Sequence, residues 1–246
     1  RRGERVGQPG SSAVSYSFDG TGDYLTGSFT STYADPVTLA CWFKVTTHPV
    51  ALDCLVALGN SSSSQNDSYM LQTGSADDAW RATSRTTGDS SAEVTSLNRD
   101  ATWTAMVGVF TSNTLRDLYV GAIGNTAQST DIRTVADVLQ YLSVGRNLAS
   151  GQNYTGLLAE VAIWNKALDT SEITSYLGGT AASGIGAANL IGYWPLSASN
   201  ATQANLGTDA GGDLTVTNAT YSADHPTISS SSVASRAAAY YAMLRQ

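Results

Sequence analysis

The sequence predicts an all-β sandwich carrying one short helix, on three observations. From Val14 onward, short apolar runs are separated by clusters of turn residues, the pattern of strands stacked in layers. Within those runs the side chains alternate: Leu39, Cys41, Phe43 and Val45 stand against Ala40, Trp42 and Lys44, the period of two that sends successive residues to opposite faces. The third observation is the stretch 156–173, which reads as a strand running into a capped helix. There Leu157, Ala159, Val161 and Ile163 point one way, and Leu158, Glu160, Ala162 and Trp164 the other. Asp169-x-x-Glu172 has the form of a capping box, with Leu168 and Ile173 at the positions of a hydrophobic staple. Gly178-Gly179 then stops the helix.

The remaining elements follow in order. Residues 1–13 are rich in Gly and Ser with almost nothing apolar, and read as an extended arm. A turn at Thr46–Pro49 would set Cys41 and Cys54 opposite each other, where Cβ atoms come within about 5.5 Å. A disulfide then needs favourable local geometry; two buried small hydrophobes is the other reading. After the polar loop 59–67 comes a strand, Ser68–Thr73, and then two modest strands within 74–100. Trp80, in that polar context, is expected to be exposed. Trp103–Phe110 and Leu115–Gly121 read as a hairpin, and 135–145 includes a further strand. Beyond a Gly/Ala linker, residues 190–228 either complete the same sandwich or open a second repeat. About twenty-five residues after Trp194 cannot bury a second core, which favours completion and one domain over 14–228. The end, 229–246, is a serine spacer and a tail helix with Val233, Ala237, Tyr240, Tyr241 and Leu244 on one face.

Charge is sparse and unevenly placed. The total is −7, but Arg1, Arg2 and Arg5 against Glu4 make the first five residues +2, and Arg236 and Arg245 make the last eleven +2. The residues between therefore carry −11. The body lacks the basic patch that nucleic acid requires, and no apolar stretch is long enough to insert into a membrane as a helix. The chain starts at Arg1 without Met, which reads as a cleaved precursor or a missing start.

G-x-L-x-E-V-x-I-W-x-x-A-L-D-x-x-E-I, residues 156–173, resembles the last-strand signature of laminin-G-like domains of the concanavalin A-like lectin/glucanase superfamily. Phe18-Asp19-Gly20 through Tyr24-Leu25 resembles the family's opening strand. Val37–Lys44, Trp103–Val107, Asp117–Gly121 and Leu142–Gly145 resemble further strands in the family's order. The "YW-P-L" segment at Tyr193–Leu196, which in many relatives precedes the opening strand, here follows the helix. The resemblance implies a concanavalin A-like jelly-roll, and it extends to segments of phage structural proteins. It also implies that Trp42 and Trp164 pack within the sandwich.

Fold does not fix function, so each chemistry is weighed on residues. Retaining glucanases of this fold carry paired carboxylates on one strand about 5.5 Å apart. Here Glu160 is followed at the paired positions by Ala162 and Trp164, and no nucleophile elbow, Cys/His cluster or phosphate loop is present. The chain reads as no enzyme, and no cofactor is required. The family resemblance implies Ca²⁺ as a candidate, with Asp19, Asp23 and Glu160 on the matching motif positions. Asn60, Asn66, Asp67 and Trp80 are candidates for holding a glycan. Arg1, Arg2, Arg5, Arg236, Tyr240, Tyr241, Leu244 and Arg245 are candidates for docking onto other proteins of an assembly, copies of the chain included. The first functional reading is a structural module on the surface of a viral particle, a decoration protein anchored by its ends. The alternative is a secreted or cell-surface lectin-like module that binds surface glycans, with or without calcium.

Overall fold

A computed structural model describes residues 14–46, 51–76, 78–136, 138–197 and 199–229. The arm 1–13, the turn at 47–50, the tail 230–246 and with them every docking candidate lie outside the described residues.

The first half of the chain forms β1 (Ser15–Asp19), β2 (Tyr24–Tyr33), β3 (Val37–Lys44), β4 (Cys54–Gly59), β5 (Ser68–Thr73), β6 (Trp80–Arg85) and β7 (Asp89–Val94). Then come β8 (Thr104–Ser112), β9 (Leu115–Val120), β10 (Ala122–Ser129), β11 (Leu139–Val144) and β12 (Thr155–Trp164). The helix α1 (Thr170–Leu177) is followed by β13 (Leu190–Trp194), β14 (Thr202–Gln203), β15 (Leu214–Thr217) and β16 (Thr220–Ser222). They make two antiparallel sheets. One runs β10-β9-β8-β3-β12-β1-β16, with β13 also paired to β12; the other runs β14-β15-β2-β11-β4-β5-β6-β7. The strands after α1 thus belong to both of the sheets built by those before it.

The inner faces meet in a core that includes Phe18, Leu25, Leu39, Cys41, Phe43, Leu58, Leu71, Trp80, Phe110 and Ile163. The alternation of β3 is realised as read, since Ala40 and Trp42 turn to the opposite side. On that outer side Ala40, Ala105 and Ala162 are small enough for α1 to lie against the sheet. There Trp164, Leu168, Ile173, Tyr176 and Leu177 close a second cluster. The capping box forms in full: the Asp169 carboxylate accepts from the Ser171 and Glu172 N–H groups, and the Glu172 carboxylate accepts from the Asp169 N–H.

Four expectations need correcting. Cys41 and Cys54 do not stand opposite each other, because β3 and β4 lie in different sheets; both are free and buried, the second of the two readings given for them. Trp80 is fully buried: it packs on Phe43 with ring centroids 4.3 Å apart and donates to the Leu97 carbonyl. Trp164 is buried, but beneath α1 rather than between the sheets, and Trp42 is only half-buried on the outer face. The alternation of β12 breaks at a bulge around Glu160, whose φ is +53°. Leu158 therefore joins Val161 and Ile163 in the inner core despite its opposite parity. The edge strand β10 was not foreseen because Ala122–Ser129 is mostly exposed and carries no apolar stripe.

Arg116, fully buried on β9, links edges of the two sheets. It donates to Ser90 on β7, to Ser129 on β10 and to the Asp131 carbonyl. At the end of β11, Gly145 adopts φ +84°, and a Cβ there would collide with the Phe18 ring. Gly145→Ala should lower stability by at least about 2 kcal/mol, from left-handed backbone cost and the clash together. A urea unfolding midpoint equal to that of the parent protein would refute this account of the turn.

Candidate functional site

The outer face of the second sheet carries a groove of about 450 Å³. Its floor comes from alternation: on β2, Leu25 and Phe29 face the core, which turns Tyr24, Thr26 and Ser28 outward. Register aligns these with the neighbouring strands. Thr215 on β15, Thr26 on β2 and Ser143 on β11 form one row, and Ser28 stands opposite Tyr141. Gly211, Gly212 and Asp213 form one wall, and Ser62, from the loop between β4 and β5, stands at the other side.

The groove continues into a tighter recess of about 40 Å³, lined by Ser143, Arg146, Asn147 and Leu148 and sharing Thr26, Ser62 and Tyr141 with the wider part. The Ser143 hydroxyl is buried at this recess and has no hydrogen-bond partner among the described residues. A polar atom removed from water without a partner costs on the order of 1–3 kcal/mol, which a bound polar group can recover. Arg146 stacks on Tyr24, its guanidinium carbon 3.2 Å from the ring centroid. The turn behind it is braced by Asn147, whose amide donates to the Gln65 and Gln152 side-chain oxygens at 2.7 and 3.0 Å.

The glycine-rich wall is held by two polar anchors, the buried Asp209 and the half-buried Asn205. Asp209 accepts from the Thr30 N–H and hydroxyl, both at 2.9 Å, from the Gly211 N–H at 2.8 Å and from the Tyr33 hydroxyl at 2.6 Å. Burial alone would raise its pKa, but these donors outweigh burial and hold the carboxyl well below the ordinary range. Asn205 donates to the Ile191 and Gly211 carbonyls and accepts from the Tyr193 and Gly207 N–H groups. The loop 204–213 is thereby fixed against both β2 and β13.

The sequence candidates fall elsewhere. Asn60 and Asp67 close the base of their loop, Nδ2 to Oδ2 at 3.1 Å, and Asn66 is exposed beyond it. It is their neighbour Ser62 that reaches the groove. Trp80, inside the core, shares no surface with them. The half-buried Trp42 instead lines a cleft of about 130 Å³ with Arg99 and Trp103 on the outer face of the first sheet.

The three acids proposed for calcium do not converge. Asp19 and Asp23 stabilise their own turn: Asp23 accepts the Asp19 N–H at 2.9 Å and Asp19 accepts the Thr21 N–H at 2.6 Å. Asp19 pairs with Thr155, whereas Glu160 lies five residues further along β12, roughly 16 Å at the rise of a strand. Among the described residues no group of three or more His, Cys, Asp or Glu side chains is placed to hold a metal. Sequence reasoning missed Thr26, Tyr141, Ser143 and Arg146, because outward hydroxyls on a strand read as an ordinary solvated face.

Glu160 is 8% exposed beneath α1, and accepts from the Tyr193 hydroxyl at 2.6 Å. Burial pushes its pKa from 4.5 up to about 7, against the opposing effect of the Tyr193 bond.

With the fold and groove in place, comparison with known proteins gives a consistent answer. Residues 19–174 match the laminin-G-type model described as the concanavalin A-like lectin/glucanases superfamily, and the chain belongs to that superfamily. No curated protein matches the chain. Among solved structures, a candidate carbohydrate-binding protein from Bacteroides ovatus is similar at 15% identity and a TM-score of 0.62, over 88% of this chain and 61% of that one. A heptameric SAP-like pentraxin from Limulus polyphemus is similar at 14% identity and 0.53, over 69% and 84%. The CBM40 module of a Ruminococcus gnavus IT-sialidase, solved with α2,3-sialyllactose, is similar at 14% and 0.50, over 66% and 95%. At these identities the likeness is one of fold.

The Glu160 shift has a measurable consequence. The native state retains a proton that the unfolded chain releases near 4.5, so stability declines as pH rises from about 4.5 toward about 7 and then levels. The loss is about 3 kcal/mol or less. Glu160→Gln keeps an acceptor for Tyr193 and should remove this decline. Thermal melts of parent and variant at pH 5 and pH 8 check it, and a difference between the two proteins that stays constant with pH would refute it.

Proposed function

We propose that the chain is a glycan-binding module without catalytic activity, displayed outside the cell or on a surface, and that it holds a sugar chain along the groove of the second sheet. The observation that carries this reading is the groove itself: an outward row of hydroxyls at Thr215, Thr26 and Ser143, the last buried and without a partner among the described residues, flanked by the ring of Tyr141. Sugars present alternating hydroxyls and apolar C–H faces, and such a surface offers hydrogen-bond groups and a ring for both. Support comes also from the fold relatives, of which one is a candidate carbohydrate-binding protein and another was solved with a bound trisaccharide.

Glu160, the best-placed acid for catalysis in the sequence, supports the non-catalytic reading by its position. Its carboxylate is committed to Tyr193 beneath the helix, away from the groove. The role of a decoration protein on a viral particle rests on terminal segments outside the described residues, and neither the family nor the relatives carries it.

Ser62 is exposed and lines both parts of the groove, so Ser62→Trp should fill its mouth while leaving the fold intact. We expect glycan-array binding to fall at least about tenfold with an unchanged melting temperature. Asn66→Ala, beyond the groove, should bind as the parent does. Binding that survives Ser62→Trp, or is lost with Asn66→Ala, would move the site away from this sheet face.

A further inference from the structure

We propose that the groove is selective for acidic glycans, and that Arg146 receives the carboxylate of an acidic sugar at the closed end. This inference rests on the glycan-binding reading and adds the ligand's chemical class.

The argument starts from what the arginines do. Arg81 pairs with Glu93, and Arg85 with Asp89. Arg116 is spent on Ser90, Ser129 and a carbonyl, and Arg133 on the carbonyls of Ile132 and Asp89. Arg146 has neither an ion pair nor a hydrogen bond among the described residues; its one partner is the face of Tyr24. Arg99, similarly free, lies on the opposite outer face in the Trp42 cleft. Stacking on an aromatic face fixes the guanidinium plane without using its in-plane N–H donors, of which Nε is buried and the two terminal nitrogens remain for a ligand. Those donors match the two oxygens of a carboxylate.

The position of Arg146 is enforced. It follows Gly145, whose left-handed turn is packed against Phe18, and precedes Asn147, whose amide is fully engaged. A preorganised donor pair loses little entropy on binding. The adjoining Ser143 hydroxyl, buried and without a partner among the described residues, adds a further donor at the same recess.

The opposite end of the groove has the opposite sign. Asp213 is exposed there and accepts from the Asn205 N–H. A carboxylate accepts from neutral sugar hydroxyls and repels an acidic group. The ligand is therefore oriented, with its anionic group at Arg146 and its neutral portion toward Asp213. The acidic body also sets a background that opposes anions over a Debye length of about 8 Å in physiological salt. Recognition of an acidic sugar must accordingly be short-range and geometric, which Arg provides and Lys does not.

Calorimetric titration of the full chain tests this with four probes: trigalacturonate, its carboxyl-reduced neutral form, sialyllactose and sulfated lactose. A carboxylated probe should bind at least about tenfold more tightly than the reduced neutral form, the contribution of a charge-assisted bond pair. Arg146→Gln should erase that ratio, and Arg146→Lys should lose most of it. The parent protein's own ratio needs no variant, so a folding defect in Arg146→Gln leaves the test intact. Equal binding of acidic and neutral probes overturns the inference and leaves the glycan reading standing. No binding of any probe overturns both. Preference for sulfated lactose over both carboxylated probes also overturns the assignment to a carboxylate.

Discussion

The bulge at Glu160 is the constraint on which the rest of the first sheet depends. β12 pairs with β3 along one edge, but its other edge is shared by two strands, β1 up to Leu158 and β13 from Val161. A regular strand offers one neighbour per edge in one register; an inserted residue lets the chain bend and change register. The left-handed Glu160 is that residue, and its N–H is taken by the Pro195 carbonyl at the end of β13. The same shift reassigns faces, sending Leu158, Val161 and Ile163 inward while Ala162 and Trp164 meet the helix. Backbone strain of this sort persists only where surroundings hold it. Here Tyr193 bonds the carboxylate and Tyr176 of α1 bonds the carbonyl at 2.5 Å.

The strands after the helix connect this constraint to the groove. β13 completes the first sheet, and the chain then crosses so that β15 pairs with β2 in the second. The crossing segment contains Asn205 and Asp209, whose polar groups are satisfied by both sheets. A buried carboxylate with five donors is costly to assemble but specific, because any other loop path leaves it unpaired. The wall at Gly211–Asp213 is thus positioned by polar anchors rather than by apolar packing. Close approach requires glycine there: a Cβ at Gly211 would press on the Thr30 backbone nitrogen at 2.8 Å.

On the far side, the small residues Ala40, Ala105 and Ala162 give α1 a seat, and Trp164 meets Tyr176 edge-on at 5.9 Å. The two outer faces therefore differ in kind. One carries the helix and, beside it, the Trp42 cleft; the other carries the hydroxyl-rich groove walled by loops, next to a small apolar cluster of Ala57, Met70 and Leu148. The difference follows from composition at outward positions, alanine beneath the helix and Thr or Ser in the groove.

Much of this was written in the residues. The alternation of β3, the hairpin of β8 and β9, the capping box at Asp169 and the ordered motifs from Phe18 to Ile173 determine strand faces, helix ends and superfamily, because each depends on interactions local in sequence. The site was not legible. Period-two patterning says which side chains share a face, but what covers that face is decided by segments far away in the chain. Trp80 was misjudged for this reason: its polar neighbours are on the strand's other side, and Phe43, from the opposite sheet, buries it. Ser143 and Thr26 became neighbours only through register across 117 residues, and Arg146 took its place only when Gly145 turned against Phe18. The sequence by itself determined the strands and their faces; tertiary structure decided which polar face stayed open, because burial and register are set by partners distant in sequence.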